Sequence, residues 1–135
     1  MSESIVFTSK VILGEGTNAD IDTAEEDIVV ITSLDKLNNT QLSIYIDTTF
    51  GTHTSMEYRF YTLNEVGGTW YPRVKINSTD NTLDDYPAIV DSSTPNSGVI
   101  MYEQPLASCF GFKVTGKGVG GANGAATVKV LARDN

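Results

Sequence analysis

Short runs in which apolar and polar residues alternate dominate the chain. Residues 42–47 and 56–61 alternate strictly, which is typical of strands with one face on a core. Residues 28–31 are continuously apolar and predict a strand that is buried on both faces. Further short strands are predicted over residues 5–13, 69–76, 88–90, 99–102, 109–115 and 126–132.

Glycine-rich and polar segments separate these runs. Gly67 and Gly68 predict a hairpin that joins the strand at 56–61 to the strand at 69–76. Residues 14–20 read as a loop, and residues 77–85 as a polar, turn-rich segment. No segment sustains a helical period. About eight strands at intervals of roughly a dozen residues predict an all-β, antiparallel β-sandwich of jelly-roll or Ig-like type.

Length and charge limit the number of domains and the class of partner that can be expected. We expect one domain over residues 1–135, in which residues 1–13 form a first strand or an interacting N-terminal arm. Seventeen acidic and nine basic residues give a net charge of −8, which opposes binding to nucleic acid or anionic membranes and favours a basic protein partner. Neither a signal peptide nor a membrane-spanning run is expected from the sequence.

The stretch from Gly116 to Gly121 has the spacing G-x-G-x-x-G of a dinucleotide-binding loop. Such a loop opens a helix, whereas residues 126–132 alternate like a strand. The sequence therefore predicts a hairpin connection between the last two strands. Gly116, Gly118 and Gly121 are then candidates for a flexible docking loop.

Candidate catalytic and metal-binding residues are few. His53 is the sole histidine and is predicted to lie in a surface loop; Cys109, the sole cysteine, is predicted to be a buried, inert thiol. Acidic clusters at residues 20–27 and 80–85 carry the oxygen ligands that Ca²⁺ prefers, but neither has EF-hand spacing, and solvated loops are the favoured interpretation. We therefore expect no cofactor and no enzymatic activity.

Aromatic residues provide the remaining candidates for a site. Tyr45, Tyr61 and Tyr71 fall on the polar phase of their strands, and Trp70 adjoins Tyr71. An outward-facing aromatic set can form a protein interface, stack against sugar rings or pack in the ordinary way. All three interpretations remain open at this point.

Three stretches together resemble a known class of protein. They are residues 42–47 with Gly51, residues 56–60 with 69–71, and residues 110–118 with 126–135. The chain is similar in these stretches to small β-sandwich structural proteins encoded in the virion gene clusters of tailed bacteriophages.

The resemblance implies a non-enzymatic component of a virion that is assembled in the host cytoplasm: a capsid decoration protein, a connector or a tail protein. Its implied partners are the major capsid protein, other virion proteins or further copies of itself as a homo-oligomer. The alternative hypothesis is a carbohydrate-binding module of a fibre or of a larger glycan-binding assembly, motivated by Trp70 and the outward tyrosines.

Overall fold

A computed structural model describes residues 10–32, 41–63, 68–93, 99–105 and 111–133. These residues form eleven strands, and no helix in them is long and apolar enough to cross a membrane. The strands are β1 (Lys10–Ile21), β2 (Glu26–Ile31), β3 (Gln41–Thr49), β4 (Ser55–Leu63), β5 (Trp70–Pro72), β6 (Val74–Ile76), β7 (Leu83–Asp85), β8 (Ala88–Asp91), β9 (Val99–Pro105), β10 (Gly111–Val119) and β11 (Gly124–Arg133).

Two antiparallel sheets make the body of the molecule. Sheet A has the order β1-β11-β3-β9, and sheet B has the order β2-β10-β4-β5, with β8 also paired to β4. If β6, β7 and β8 are set aside, the eight remaining strands run 1-8-3-6 in one sheet and 2-7-4-5 in the other. This is the strand order of a jelly roll, one of the two sandwich types predicted.

Both sheets contribute to one core. The apolar phases predicted for residues 42–47 and 56–61 are confirmed where side chains are described: Ile44, Ile46, Met56, Tyr58 and Phe60 are buried. Each such side chain contributes about 1.5–3 kcal/mol when it leaves water. The other large members of the core are Ile21, Ile28, Val29, Ile31, Val90, Phe112, Val114, Val128 and Val130.

The hairpin expected at Gly67 and Gly68 is confirmed in its pairing, because Leu63 of β4 faces Trp70 of β5. The prediction for residues 28–31 was wrong at one position. Val30 is 46 % exposed, whereas Ile28 and Val29 are both buried. The register of β2 against β10 shifts at Ile28, so this bulge turns two successive side chains inward.

The prediction of a loop at residues 14–20 was also wrong, because β1 continues through it to Ile21 and pairs with β11. Its glycines mark a close approach rather than a turn. A Cβ on Gly16 would overlap the backbone carbonyl of Ile28 in β2. Of the possible N-terminal arm at residues 1–13, residues 10–13 belong to β1, and the others lie outside the described residues.

Strand β5 and strand β8 together occupy a single position beside β4. Pro72 at the end of β5 faces Tyr61, and Ala88 at the start of β8 faces Tyr58. The chain thus advances three positions along β4 while it uses sixteen residues. The intervening segment leaves the sheet and folds into a separate two-stranded antiparallel ribbon of β6 and β7, which we call the inserted ribbon (residues 74–85).

Candidate interaction surfaces

Two of the predicted aromatic residues lie together on the outer face of sheet B. Lys113 of β10 joins them, with its Nζ 4.7 Å from the ring centroid of Tyr61 and 5.1 Å from that of Trp70. The indole ring of Trp70 also lies over Gly111, where a side chain would meet it. One face of each ring is therefore occupied by the protein itself, and the lysine gains two cation–π contacts.

Tyr61 is further held by an acidic side chain from the loop after β1. Its hydroxyl donates to the Glu25 carboxylate, which also accepts a 2.7 Å hydrogen bond from the buried Thr115 hydroxyl. Burial and the hydrogen bond to Glu25 raise the pKa of Tyr61 to about 12, although Thr115 and Arg59 oppose the rise. Tyr61 is thus a structural residue of this face and stays protonated at neutral pH.

Replacing Glu25 by glutamine is expected to lower the pKa of Tyr61 from about 12 while leaving it above 10.0, because the carboxylate charge is removed but the burial remains. The measurement is an NMR titration of the Tyr61 ring carbon. Glu15→Gln on sheet A is the matched control and should leave the titration of Tyr61 unchanged. An unchanged pKa in Glu25→Gln would show that the carboxylate does not act on this phenol.

The other two aromatic candidates lie elsewhere. Tyr71 is 52 % exposed and faces Thr62, so it lies on the opposite face of β5 from Trp70. Tyr45 is half-buried on sheet A, where it lines a depression of about 370 Å³ whose wall includes Glu15, Asp47 and Lys129. The four predicted residues therefore do not form one surface among the described residues, and their role in binding remains a prediction.

The glycine-rich stretch is not a hairpin, so that prediction was wrong. Strand β10 lies in sheet B and β11 lies in sheet A, and residues 120–123 cross between them. Gly116 and Gly118 are buried inside β10, and Gly121 packs against the Thr52 backbone. The stretch had looked like a hairpin tip because spacing along the chain does not show which sheet each strand joins.

Among the connections that the structure describes in full, three cross between the sheets at this end of the sandwich: residues 22–25, 50–54 and 120–123. We call them the crossover end. Backbone hydrogen bonds of 2.9–3.0 Å tie them together, from Gly118 N–H to the Asp22 carbonyl, from Thr52 N–H to the Ala122 carbonyl and from Thr54 N–H to the Val119 carbonyl. These contacts fix the loops against one another, which leaves the glycines little freedom to act as a flexible docking loop.

His53 lies at the centre of the crossover end and not on the surface, so its prediction was wrong. Its side chain is 3 % exposed, and its Nε2–H donates to the Ile21 carbonyl at 2.8 Å. The ring fills the space above Gly118, where any Cβ would stand 2.5 Å from His53 Cδ2 and closer still to Cε1 and Nε2. The residues that bury His53 are distant from it along the chain, whereas its sequence neighbours are polar. The local sequence therefore predicts a surface loop.

The acidic clusters do not assemble into a metal site among the described residues: no three His, Cys, Asp or Glu side chains gather there as ligands. Asp80 instead accepts hydrogen bonds from the backbone N–H and the hydroxyl of Thr82 in its own turn. The absence of a cofactor remains a prediction. Cys109 lies outside the described residues.

The inserted ribbon is a surface feature that the sequence pattern does not reveal. Val74, Ile76 and Leu83 are 40 %, 69 % and 68 % exposed, and cross-strand pairing places them on one face. The signal was present as the alternation Val74, Lys75, Ile76. That alternation continues the apolar-rich run from Trp70 and so predicts one longer strand, and the polar residues after it are typical of an ordinary loop.

Cationic side chains hold the base of the ribbon to sheet B. The Arg73 guanidinium lies 4.3 Å from the Tyr86 ring centroid and 5.9 Å from that of Phe60. Arg59 of β4 bonds to Asp85 of β7 with its Nε at 2.7 Å. This hydrogen bond is the main cause that raises the pKa of Arg59, and partial burial opposes it.

Comparison with known proteins supports the fold. No protein-family model matches the chain, and no curated protein matches its sequence. Among solved structures it is similar to the SPBc2 prophage-derived protein YomS, with 22 % identity over 97 % of this chain and 98 % of that chain and a TM-score of 0.50.

Two further solved structures are similar only at TM-scores below 0.5, and no conclusion is drawn from them. One is the K1 cleaved adhesin domain of Lys-gingipain from Porphyromonas gingivalis W83, at 9 % identity over 95 % of this chain and 98 % of that chain, with a TM-score of 0.48. The other is the structure of infectious bursal disease virus Gx strain, at 8 % identity over 94 % of this chain and 35 % of that chain, with a TM-score of 0.40. The expected resemblance to a β-sandwich protein of phage origin is thus met, at the level of the fold, by a prophage-derived protein aligned over almost its whole length.

Proposed function

We propose that this protein is a non-enzymatic structural component of a phage virion, which decorates the capsid by binding the shell or neighbouring copies. The observation that carries the proposal is the distribution of exposed apolar side chains. Of the eight large hydrophobic residues exposed in the described part of the chain, six lie between Tyr71 and Ile89. Exposed apolar residues concentrated in one region are typical of a protein-binding surface.

The fold and the charge agree with this proposal. YomS, the protein of similar structure, is prophage-derived. A net charge of −8 favours a partner with basic patches and disfavours nucleic acid. The sole histidine is buried and bonded to a backbone carbonyl, so it is not placed to act as a solvent-facing general base.

Particles made with and without the gene test the proposal. We expect virions purified from the source phage to contain this chain in many copies, and shells assembled without it to bind the purified protein when it is added back. Mass spectrometry of the particles gives the copy number, and co-sedimentation gives the binding. Particles that contain none of the chain, or shells that do not bind it, would refute the decoration role.

Glycan binding remains the second candidate, supported by the exposed ring of Tyr71. It is the weaker one, because Trp70 packs on Gly111 and Lys113, and Tyr61 is tied to Glu25. A glycan array decides between the two, and binding lost in both Tyr71→Ala and Trp70→Ala would favour the glycan role.

A further inference from the structure

The inserted ribbon is an addition that the sandwich does not need. The sheet position beside β4 is filled by β5 and β8, and the ribbon emerges between them. A single uninterrupted strand would fill that position with fewer residues. The insertion adds exposed apolar surface rather than core, which costs solubility and calls for a function outside the folding of the sandwich.

The tip of the ribbon is preorganised by its own hydrogen bonds. Asn77 N–H donates to the Thr82 carbonyl at 2.8 Å, and Asn81 N–H donates to the Asn77 carbonyl at 2.8 Å. The side-chain amide of Asn77 donates to Asp84 at 3.1 Å, and Asp80 accepts from both the hydroxyl and the backbone of Thr82. Asn81 takes the left-handed conformation that closes the turn. A partner therefore meets an ordered surface and does not have to fold it.

The ribbon and β8 carry more acidic than basic side chains, although Asp85 is ion-paired with Arg59 of β4. Residues 74–91 contain one basic side chain, Lys75, and four aspartates, so this segment alone carries a charge of −3. The hydrogen bonds from Thr82 lower the pKa of Asp80, which keeps this exposed carboxylate ionised. A second copy of the chain would bring the same negative charge to the same place, so like charges oppose pairing of two ribbons.

We infer that the inserted ribbon docks into an apolar recess of a basic-rimmed partner protein, with Val74, Ile76 and Leu83 entering the recess and the aspartates meeting the rim. The inference rests on the proposed function, since it takes the capsid shell as that partner. The central apolar side chains would contribute most of the affinity. The charges would increase the rate of association and fix the orientation of the two proteins.

The test uses shells assembled without this chain and purified variants of the full chain. Ile76→Asp/Leu83→Asp is expected to weaken binding about a hundredfold or more, because two apolar anchors are replaced by charges. Ile12→Asp/Val30→Asp is the matched control, since it places the same two charges at exposed apolar residues outside the ribbon. It should bind within about twofold of the wild-type chain. Circular dichroism checks that both variants fold.

The outcomes separate the two proposals. If the wild-type chain binds shells and the double variant binds equally well, the ribbon inference is refuted while the decoration role stands. If the wild-type chain does not bind, both are refuted.

A second arm tests the chemistry of the partner. Asp80→Asn, which keeps an oxygen acceptor for Thr82, should slow association and reduce its dependence on salt. Binding that is insensitive to salt would contradict a basic rim. Concentration-dependent self-association that is lost in the double variant would instead identify a second copy as the occupant.

Discussion

Gly118→Ala is expected to destabilise the protein by about 3 kcal/mol or more, which is a large fraction of the stability of a small domain. The added methyl group would overlap the His53 ring. That ring has nowhere to move, because it is buried and its Nε2–H is bonded to Ile21. Denaturant unfolding of the purified variant measures the loss, and the midpoint should fall with little change in the slope.

A double-mutant cycle shows whether the overlap with His53 is the cause. His53→Ala alone should cost about 2–4 kcal/mol through the lost side chain and the cavity it leaves. In the double variant the new methyl group occupies part of that cavity, so the loss should be smaller than the sum of the two single losses. Gly120→Ala is the control in the same connection: its φ of 83° implies a cost of about 1–2 kcal/mol without the overlap. Additive losses would refute the proposed packing of Gly118 on His53.

The sequence predicts the strand phases of this fold well. In β4 and β3 the alternation of large apolar and polar residues directly determines which side chains enter the core, and Met56, Tyr58, Ile44 and Ile46 are buried as expected. Alternation is a local property, because successive side chains of a strand point to opposite faces. The two-sheet architecture follows from the number of such strands.

The crossover end could not be predicted in the same way. Gly116 and Gly118 are followed closely by further glycines, and glycine-rich stretches usually form turns. Gly116 and Gly118 instead lie inside β10. Glycine is required there because the Ile28 and His53 side chains come close to the β10 backbone. The residues that pack against a glycine can be far from it in the sequence. A glycine required by such a close approach therefore cannot be distinguished from a glycine in a loop.

The inserted ribbon could not be predicted for a different reason. Trp70, Tyr71, Val74 and Ile76 form one apolar-rich run, which predicts a single strand. The structure ends β5 at Pro72 and turns the chain away from the sheet at Arg73. Proline is found mostly at the ends and edges of strands, so Pro72 was the local sign of a break, although Arg73 N–H still donates to the Phe60 carbonyl of β4 at 2.9 Å. The exposure of Ile76 follows only from the three-dimensional position of the ribbon.

Raising the pH from 10 to 12 is expected to destabilise the protein through Tyr58. Its side chain is fully buried, and burial raises its pKa from 10.0 to about 12, although a 2.5 Å hydrogen bond with Thr48 opposes the rise. Because the folded pKa is the higher one, the contribution of this group to stability is complete below pH 10 and is lost as the pH passes through 12. Two pKa units correspond to about 2.7 kcal/mol.

Tyr58→Phe separates this titration from other alkaline effects. At pH 7 the variant should lose about 1–3 kcal/mol, because Thr48 is buried and its hydroxyl loses its partner. Between pH 10 and 12 its stability should fall less steeply than that of the wild-type chain, because the buried phenol is gone. Tyr71→Phe, which removes an exposed hydroxyl, should keep the wild-type slope. Parallel curves for the wild-type chain and Tyr58→Phe would show that Tyr58 does not cause the alkaline loss of stability.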